Sequence, residues 1–478
     1  MSKKNVSVYL LILLVSVAAI WFLVGYGSQL TPAAAPSAAS QAASAHPEAS
    51  GLQAVLENVR HPVSILLLQV IAIVIAARSL GALFHKIGQP PVIGEMVAGI
   101  LLGPSLLGWV APAAQTFLFP QDSLGSLRML SQIGVILFMF VVGIELDIDH
   151  LRKKAHAAVM VSHVSIVLPF TLGVAGSLFL YEPLAPAGVP FSAFALFMGV
   201  SMSITAFPVL ARIIEERRMS RSYLGTTAIA CAAVDDVTAW CLLAVVVALA
   251  NASSLTGAMW TIGLSVLFIC AMLFLVRPRL ARIGQRSEAW SGSSGLLAAL
   301  FAFVFASALI TEAIGIHALF GAFLAGVCMP PDAKLRQFLR ERVETFASVF
   351  LLPLFFAFTG LRTEVGLLND WWGWMMCLAI IALAITGKLV GSMLAARWTG
   401  MSWGDSFSLG ALMNTRGLVE LIVLNIGFDL GILSPKIFAM LVLMALITTF
   451  MTGPLLALSN WVQRRRSLEG VAAGAVIQ

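Results

Sequence analysis

Along most of the chain, apolar runs of about twenty residues alternate with short polar stretches. A helix of that length crosses the hydrocarbon of a bilayer. The runs predict spans at about 7–26, 62–84, 91–109, 126–146, 157–181, 191–213, 224–250, 256–276, 293–312, 315–330, 345–361, 371–396, 405–427 and 436–459. The first is set apart. It follows "MSKK" and leads into "SQLTPAAAPSAASQAASAHPEAS", an Ala/Pro/Ser linker with several small-residue cleavage options. That pattern fits a cleaved signal peptide or an uncleaved anchor. About thirteen core spans remain, so the expected fold is an all-α polytopic membrane protein.

Composition agrees. Of 478 residues, 59% are hydrophobic and 11% charged, against roughly a quarter charged in soluble domains. The five cysteines lie inside apolar runs and read as small buried hydrophobes, with no disulfide framework, metal cluster or cofactor implied. Lysine and arginine crowd one set of alternate loops: "HLRKKAH", "EERRMSRS", "RPRLARIGQRSE", "AKLRQFLRERVE" and the tail "QRRRS". The other set holds little beyond Arg60, Arg128, Arg362 and Lys436. The basic side is expected to face the cytoplasm, which puts the C-terminus there and the protein in a cell membrane, the inner one if bacterial. The formal charge of +6 then reflects topology and contact with anionic lipid rather than nucleic acid. "WWGWMM" at 371–376 reads as an aromatic belt on the outer side.

The spans repeat. "IGEMVAGILLGP" (93–104) matches "LFGAFLAGVCMP" (319–330), and "ILFMFVVGIELDID" (136–149) matches "LLPLFFAFTGLRTEVG" (351–366). The paired segments cross in opposite directions in this topology. Inverted repeats of this kind place a transport site near the midplane, beside interrupted helices. Two interruptions stand out. "MSITAFPVLARII" contains Pro208, which lacks an N–H, and Thr205, which can bond freed backbone groups. "GALMNTRGLVELIVLN" holds Asn414, Thr415, Arg416, Gly417 and Glu420 within one span, a cluster suited to backbone that lines a cavity.

Three charges lie deep in apolar text. Asp235 and Asp236 are adjacent in "CAAVDDVTAW", and Lys388 sits in "IIALAITGKLVGSML". Intramembrane charges face the bundle interior and pair. Neighbouring helical residues point about 100° apart, so one aspartate can face a cavity while the other pairs with Lys388. A carboxylate facing the cavity holds either a proton or a metal cation. Competition for one site, exposed alternately to each side, is exchange.

"SITAFPVLARI", "AAVDDVTAW", "TGKLVG" and "LMNTRGLVELIVLNIG" in this order resemble the monovalent cation:proton antiporters of the second cation:proton antiporter family, over roughly residues 62 to 460. The resemblance implies that Asp236 carries the cation (Na+ or K+) and the proton in turn, that Asp235 is its partner acid, and that Lys388 is the basic partner. It implies two broken helices crossing beside the site, around Thr205 and around Asn414 to Arg416. It also implies a homodimer in which a core moves against a dimerisation domain. On that division, 1–50 is the leader or anchor with its linker and 51–460 the transmembrane domain. Within it, 156–250 and 371–460 form the core transport bundle, 62–146 and 293–361 the dimerisation bundle, and 256–276 a linking helix. Residues 461–478 form a short cytoplasmic tail.

Na+ and K+ are both left open. Many potassium-efflux members carry another residue at the position of Asp235, whereas the Asn-Thr-Arg-Gly-Leu-Val-Glu-Leu run is closer to the potassium-handling branch. Those efflux members commonly end in a soluble nucleotide-binding domain, and gating of that kind is not expected here. The adjacent acids and the lysine favour two protons per monovalent cation, hence electrogenic transport. An intramembrane aspartyl hydrolase would need its aspartates on separate helices, and a channel would need a filter of oxygens. Neither pattern is recognised in the sequence; a cation channel or an ungated potassium-efflux system stands as the alternative to exchange, the hydrolase as a remote one, and no enzymatic activity is expected. His163 and His317 read as packing residues within spans, Glu145 and Glu312 as interfacial, and Glu95 has no assigned role.

Overall fold

The structure, a computed structural model, describes residues 58–145, 155–219, 222–251, 255–286, 294–330 and 332–475. The apolar run at 7–26 and its linker lie outside them. Among the described residues all regular structure is helical. The principal helices are α1 (Pro62–Lys86), α2 (Pro91–Leu102), α3 (Leu124–Glu145), α4 (Ala155–Leu184), α5 (Phe191–Ser203), α6 (Phe207–Glu216), α7 (Tyr223–Asn251) and α8 (Leu255–Cys270). They continue with α9 (Ser294–Ile314), α10 (Ala318–Val327), α11 (Leu352–Leu361), α12 (Trp371–Ile385), α13 (Gly391–Trp398), α14 (Trp403–Met413), α15 (Leu418–Asp429) and α16 (Pro435–Ala475). Proline opens α1, α2 and α16, where its missing N–H has no helical partner to lose.

Among the described residues, 11 helical stretches suffice by length and hydropathy to cross a membrane, and the bent pair α14–α15 makes 12. The helix α10 is a shorter apolar element of 10 residues. Every expected span between 62 and 459 falls on one of these elements. His317 differs from its expected place inside a span. It caps α10 with φ 86°, just after Gly315 at φ 95°.

Helices α1, α2, α3, α9, α10 and α11 pack mainly on one another, and α4 to α7 with α12 to α16 do the same. The broken stretch Phe191–Glu215 is the most enclosed, with 89% of its apolar window buried, against 11% for Met259–Arg282 in α8 and its continuation. The polar break is therefore central and α8 peripheral.

The repeat is visible in the packing. A Cβ on Gly99 of α2 would lie 2.1 Å from the Ala357 carbonyl oxygen of α11, and one on Gly360 2.5 Å from that of Met96. In the matching crossing, a Cβ on Gly326 of α10 would lie 2.1 Å from the Phe140 oxygen of α3, and one on Gly143 2.2 Å from that of Phe323. Gly99 aligns with Gly326 and Gly143 with Gly360 in the sequence repeat. Even the helix before each follows suit, since a Cβ on Gly94 meets the Leu80 oxygen at 2.5 Å and one on Gly321 meets the Ser307 oxygen at 2.2 Å. Small residues let backbones touch where lipid supplies no hydrophobic drive between helices.

Candidate ion-binding site

Two helices stop and restart at the centre. Between α5 and α6 the chain is non-helical over residues 204–206, and between α14 and α15 over 414–417. The second pair bends by 42°. The breaks are tied together: the Ala206 N–H donates to the Thr415 carbonyl at 3.0 Å, and the Thr205 hydroxyl reaches the Met413 carbonyl at 3.1 Å. Pro208 lies in an interrupted stretch, as the sequence suggested. It sits in the first turn of α6, after the break, where no N–H is needed. Gly417 is extended, and a Cβ there would lie 2.7 Å from Val209 Cγ2, so the close approach of the two breaks requires glycine.

Each interrupted end exposes carbonyls that no helical N–H can satisfy. Arg416 reaches from one break to the other half of the site. Its guanidinium donates to the Ser201 carbonyl at 2.8 Å and to that of Met202 at 2.7 Å, capping the end of α5. A cation there also offsets the negative end of the helix dipole. The same guanidinium lies 3.1 Å from Glu420, and both side chains are fully buried. Around it, the Thr449 hydroxyl donates to the Arg416 carbonyl and accepts from its N–H. The Thr415 and Thr452 hydroxyls are 3.3 Å apart.

Helix α7 carries the adjacent aspartates through the centre. Asp235 accepts from Ser162 and Ser165 of α4, from Thr205 at 2.7 Å, and from Lys388 at 2.9 Å. Lys388 lies in a π-helical turn, Thr386–Val390, between α12 and α13. Such wide turns are rare and often mark functional positions. Its ammonium also reaches the carbonyls of Ser165 and Ser203 and the Ser165 hydroxyl, so each of its three protons has an acceptor. Lys388 and Asp235 are fully buried, which rules out snorkelling.

Asp236 is different. It is 1% exposed, and neither carboxylate oxygen has a hydrogen-bond partner among the described residues. The Phe207 N–H at the head of α6 approaches it without completing a bond of normal geometry. Both polar atoms of the Asn414 side chain are likewise buried and unpartnered. Nearly all buried polar groups in proteins find a partner, so these two side chains near the breaks contrast with the bonded network around Asp235. A cavity of about 540 Å³ is lined in part by Pro208 and Val209 of α6 and Leu418 of α15, and Pro208 follows the Phe207 whose N–H approaches Asp236.

The structure thus brings together Asp235, Lys388 and Thr205 in one cluster, and Arg416 and Glu420 in another, with Thr415 at the junction of the breaks. Ser162 and Ser165 were not singled out in the sequence. The available signal was their spacing of three in "VSHVSIV", which puts both hydroxyls on one face of α4.

The chain matches the model of the sodium/hydrogen exchanger transmembrane family over residues 70–458. It is 45% identical over 396 residues to the Na(+)/H(+) antiporter NhaS4 of Synechocystis, covering 82% of this chain and 96% of that protein. Cation/H(+) antiporter 17 of Arabidopsis thaliana is 41% identical, and K(+)/H(+) antiporter 1 of Saccharomyces cerevisiae 33%. The chain spans only 48% and 47% of their lengths. The fold is similar to that of the sodium proton antiporter MjNhaP1 of Methanocaldococcus jannaschii, with a TM-score of 0.59 at 14% identity over 83% of this chain and 97% of that one. With its broken helices, buried aspartates and this coverage, the chain belongs to the sodium/hydrogen exchanger family of membrane antiporters.

Proposed function

We propose that the protein exchanges a monovalent cation, Na+ or K+, for protons across a cell membrane, with Asp236 as the site for which cation and proton compete. The observation that carries this is the contrast within one dipeptide. Asp235 is held by four donors, while Asp236 is buried with none among the described residues. An ionised carboxylate without partners is costly, so Asp236 is most stable with a proton or a cation bound. The unpartnered Asn414 oxygen is a further candidate ligand for the cation. The 45% identity to a Na(+)/H(+) antiporter and the 33% identity to a K(+)/H(+) antiporter support both ions and favour neither.

The two packing groups support a moving bundle of α4 to α7 with α12 to α16, carried against a dimerising bundle of α1 to α3 with α9 to α11, with α8 as the link. Orientation follows from charge. Among the described residues on the sparsely charged end, Arg128 and Arg362 both pair with Asp429, and Lys436 pairs with Asp370. That end therefore presents little free positive charge, and the basic end faces the cytoplasm. Trp371 and Trp372 stay 78% and 59% exposed, as an outer belt requires. The test is proton flux in proteoliposomes with each alkali cation supplied in turn. Collapse of a pH gradient by Na+, K+ or both supports the proposal, and indifference to every cation refutes it.

A further inference from the structure

The cavity lined by Pro208 and Val209, the two residues after Phe207 at the head of α6, has a carboxylate in its wall that exchange at Asp236 leaves unused. Glu95 of α2 lines it and is 7% exposed. Among the described residues, no hydrogen bond or ion pair closes on its carboxylate. The guanidinium groups of Arg78 in α1 and Arg212 in α6 lie near enough to act on its charge. Glu215 of α6 and Glu344, in the turn ahead of α11, complete the charged lining. The facing parts of α3, α11 and α15 contribute uncharged side chains.

Packing does not explain this residue. In the matching repeat, Gly94-Glu95 aligns with Gly321-Ala322, and Ala322 is fully buried at the equivalent crossing. The crossing therefore works with a methyl group. A buried carboxylate without hydrogen bonds costs free energy that the methyl group does not. Nor does Glu95 suit a metal cation. A dehydrated cation needs several oxygens around it, and among the described residues no group of three or more carboxylate, histidine or cysteine side chains converges to hold one. A proton needs only one oxygen.

We propose that Glu95 is a second proton-exchanging carboxylate of the transport cycle, taking protons from the cavity and passing them to and from Asp236. The atoms balance simply: an O–H bond forms at Glu95 as one breaks at hydronium or buffer, and the reverse transfer delivers the proton toward Asp236. The inference rests on the reading of Asp236 as the exchange site. Arg212 belongs to α6 and Glu95 to α2, so relative motion of the two packing groups would change the charge facing Glu95.

The test measures cation-driven proton flux in proteoliposomes across pH for the native chain, Glu95→Gln, Glu95→Ala and Glu95→Asp, with Asp236→Asn as the inactive reference. Protons are scarce at alkaline pH, so losing an outer proton carrier should slow exchange most there. The expected result is a loss of about tenfold at alkaline pH and a smaller loss at acid pH. The alkaline limb then moves to lower pH, the KM for the cation holds, and Glu95→Asp restores much of the rate. Glu95→Ala copies the other repeat and gives the same reading should the glutamine variant not fold. An unmoved pH profile would reduce Glu95 to a structural role and overturn the inference. A raised cation KM with an unmoved profile would make it a cation site and overturn it equally. A native protein that moves no protons would instead refute the exchange reading itself.

Discussion

Asp235 and Asp236 are consecutive and both buried, yet Asp235 accepts from four donors while Asp236 accepts from none among the described residues. The helix turns about 100° between them. One side chain therefore points at α4 and Lys388, and the other at the head of α6. The division of labour is set by that rotation: the first acid is fixed in a network, and the second is left available.

The fixed acid predicts a coupling. Lys388→Ala would leave Asp235 buried with three hydroxyl donors and no cation, at a cost of about 3–5 kcal/mol. Asp235→Asn would strand the ammonium at a similar cost. Unfolding of the purified protein in detergent should show that the double neutral variant recovers much of the loss. Additive losses would mean that the 2.9 Å approach contributes no pairwise energy.

A second pair of residues separates exposed from enclosed charge. Arg128 and Arg362 both hold Asp429, but the Arg128 side chain is 43% exposed and that of Arg362 17%. Arg362 also donates to Asn425 and lies over the Phe428 ring at 4.4 Å. Arg128→Ala should cost under about 1 kcal/mol, as solvent-screened pairs do. Arg362→Ala should cost about 1–3 kcal/mol through lost stacking and a stranded Asn425. Thermal unfolding of the two variants side by side checks the order, and equal losses would contradict it.

Much of this was legible in the sequence, for physical reasons. Apolar runs long enough to span are unmistakable, and an isolated Lys388 or Asp235 in such text has few places to go but a partner. The Asn-Thr-Arg-Gly cluster marked its break because those residues cannot face lipid. What stayed hidden depends on three-dimensional direction. Serine is common on apolar helices, so Ser162 and Ser165 carried no mark of their role until α4 was seen against α7. Pro208 lies close to a real break, but the break comes first, and proline only starts the next half-helix. Glu95 looked like an unplaced polar residue until its cavity and the alanine opposite it in the repeat were both visible. The repeat itself rested on weak apolar similarity, and the matched backbone contacts at Gly99 and Gly326 gave it physical content.

Those contacts carry their own prediction. Gly99→Ala and Gly326→Ala would each place a Cβ 2.1 Å from a carbonyl oxygen, too close for a side chain rotation to relieve. Each should destabilise by about 1–3 kcal/mol, as overpacking does. Gly125→Ala, where a Cβ meets nothing within 4 Å, serves as the control. Equal unfolding midpoints for all three would show that the crossings tolerate separation.

Competition at one carboxylate fixes the sign of the pH dependence. Where Asp236 is mainly protonated, each tenfold rise in proton concentration should raise the apparent KM for the cation about tenfold, with the maximal rate unchanged, because a proton must leave before a cation enters. Where it is mainly ionised, the KM should level off. Initial rates of cation-driven proton flux over a grid of pH and cation concentration check this. A KM independent of pH throughout would mean separate sites.

The most direct measurement is proton flux driven by Na+ or K+ in proteoliposomes containing Asp236→Asn beside the native chain. The amide keeps the volume and removes the exchangeable charge. Because the carboxylate it replaces makes no hydrogen bond of normal geometry among the described residues, the variant should fold and unfold at least as stably as the native protein. The account predicts a stable protein with no cation-driven proton movement. Native-like flux in that variant would contradict it.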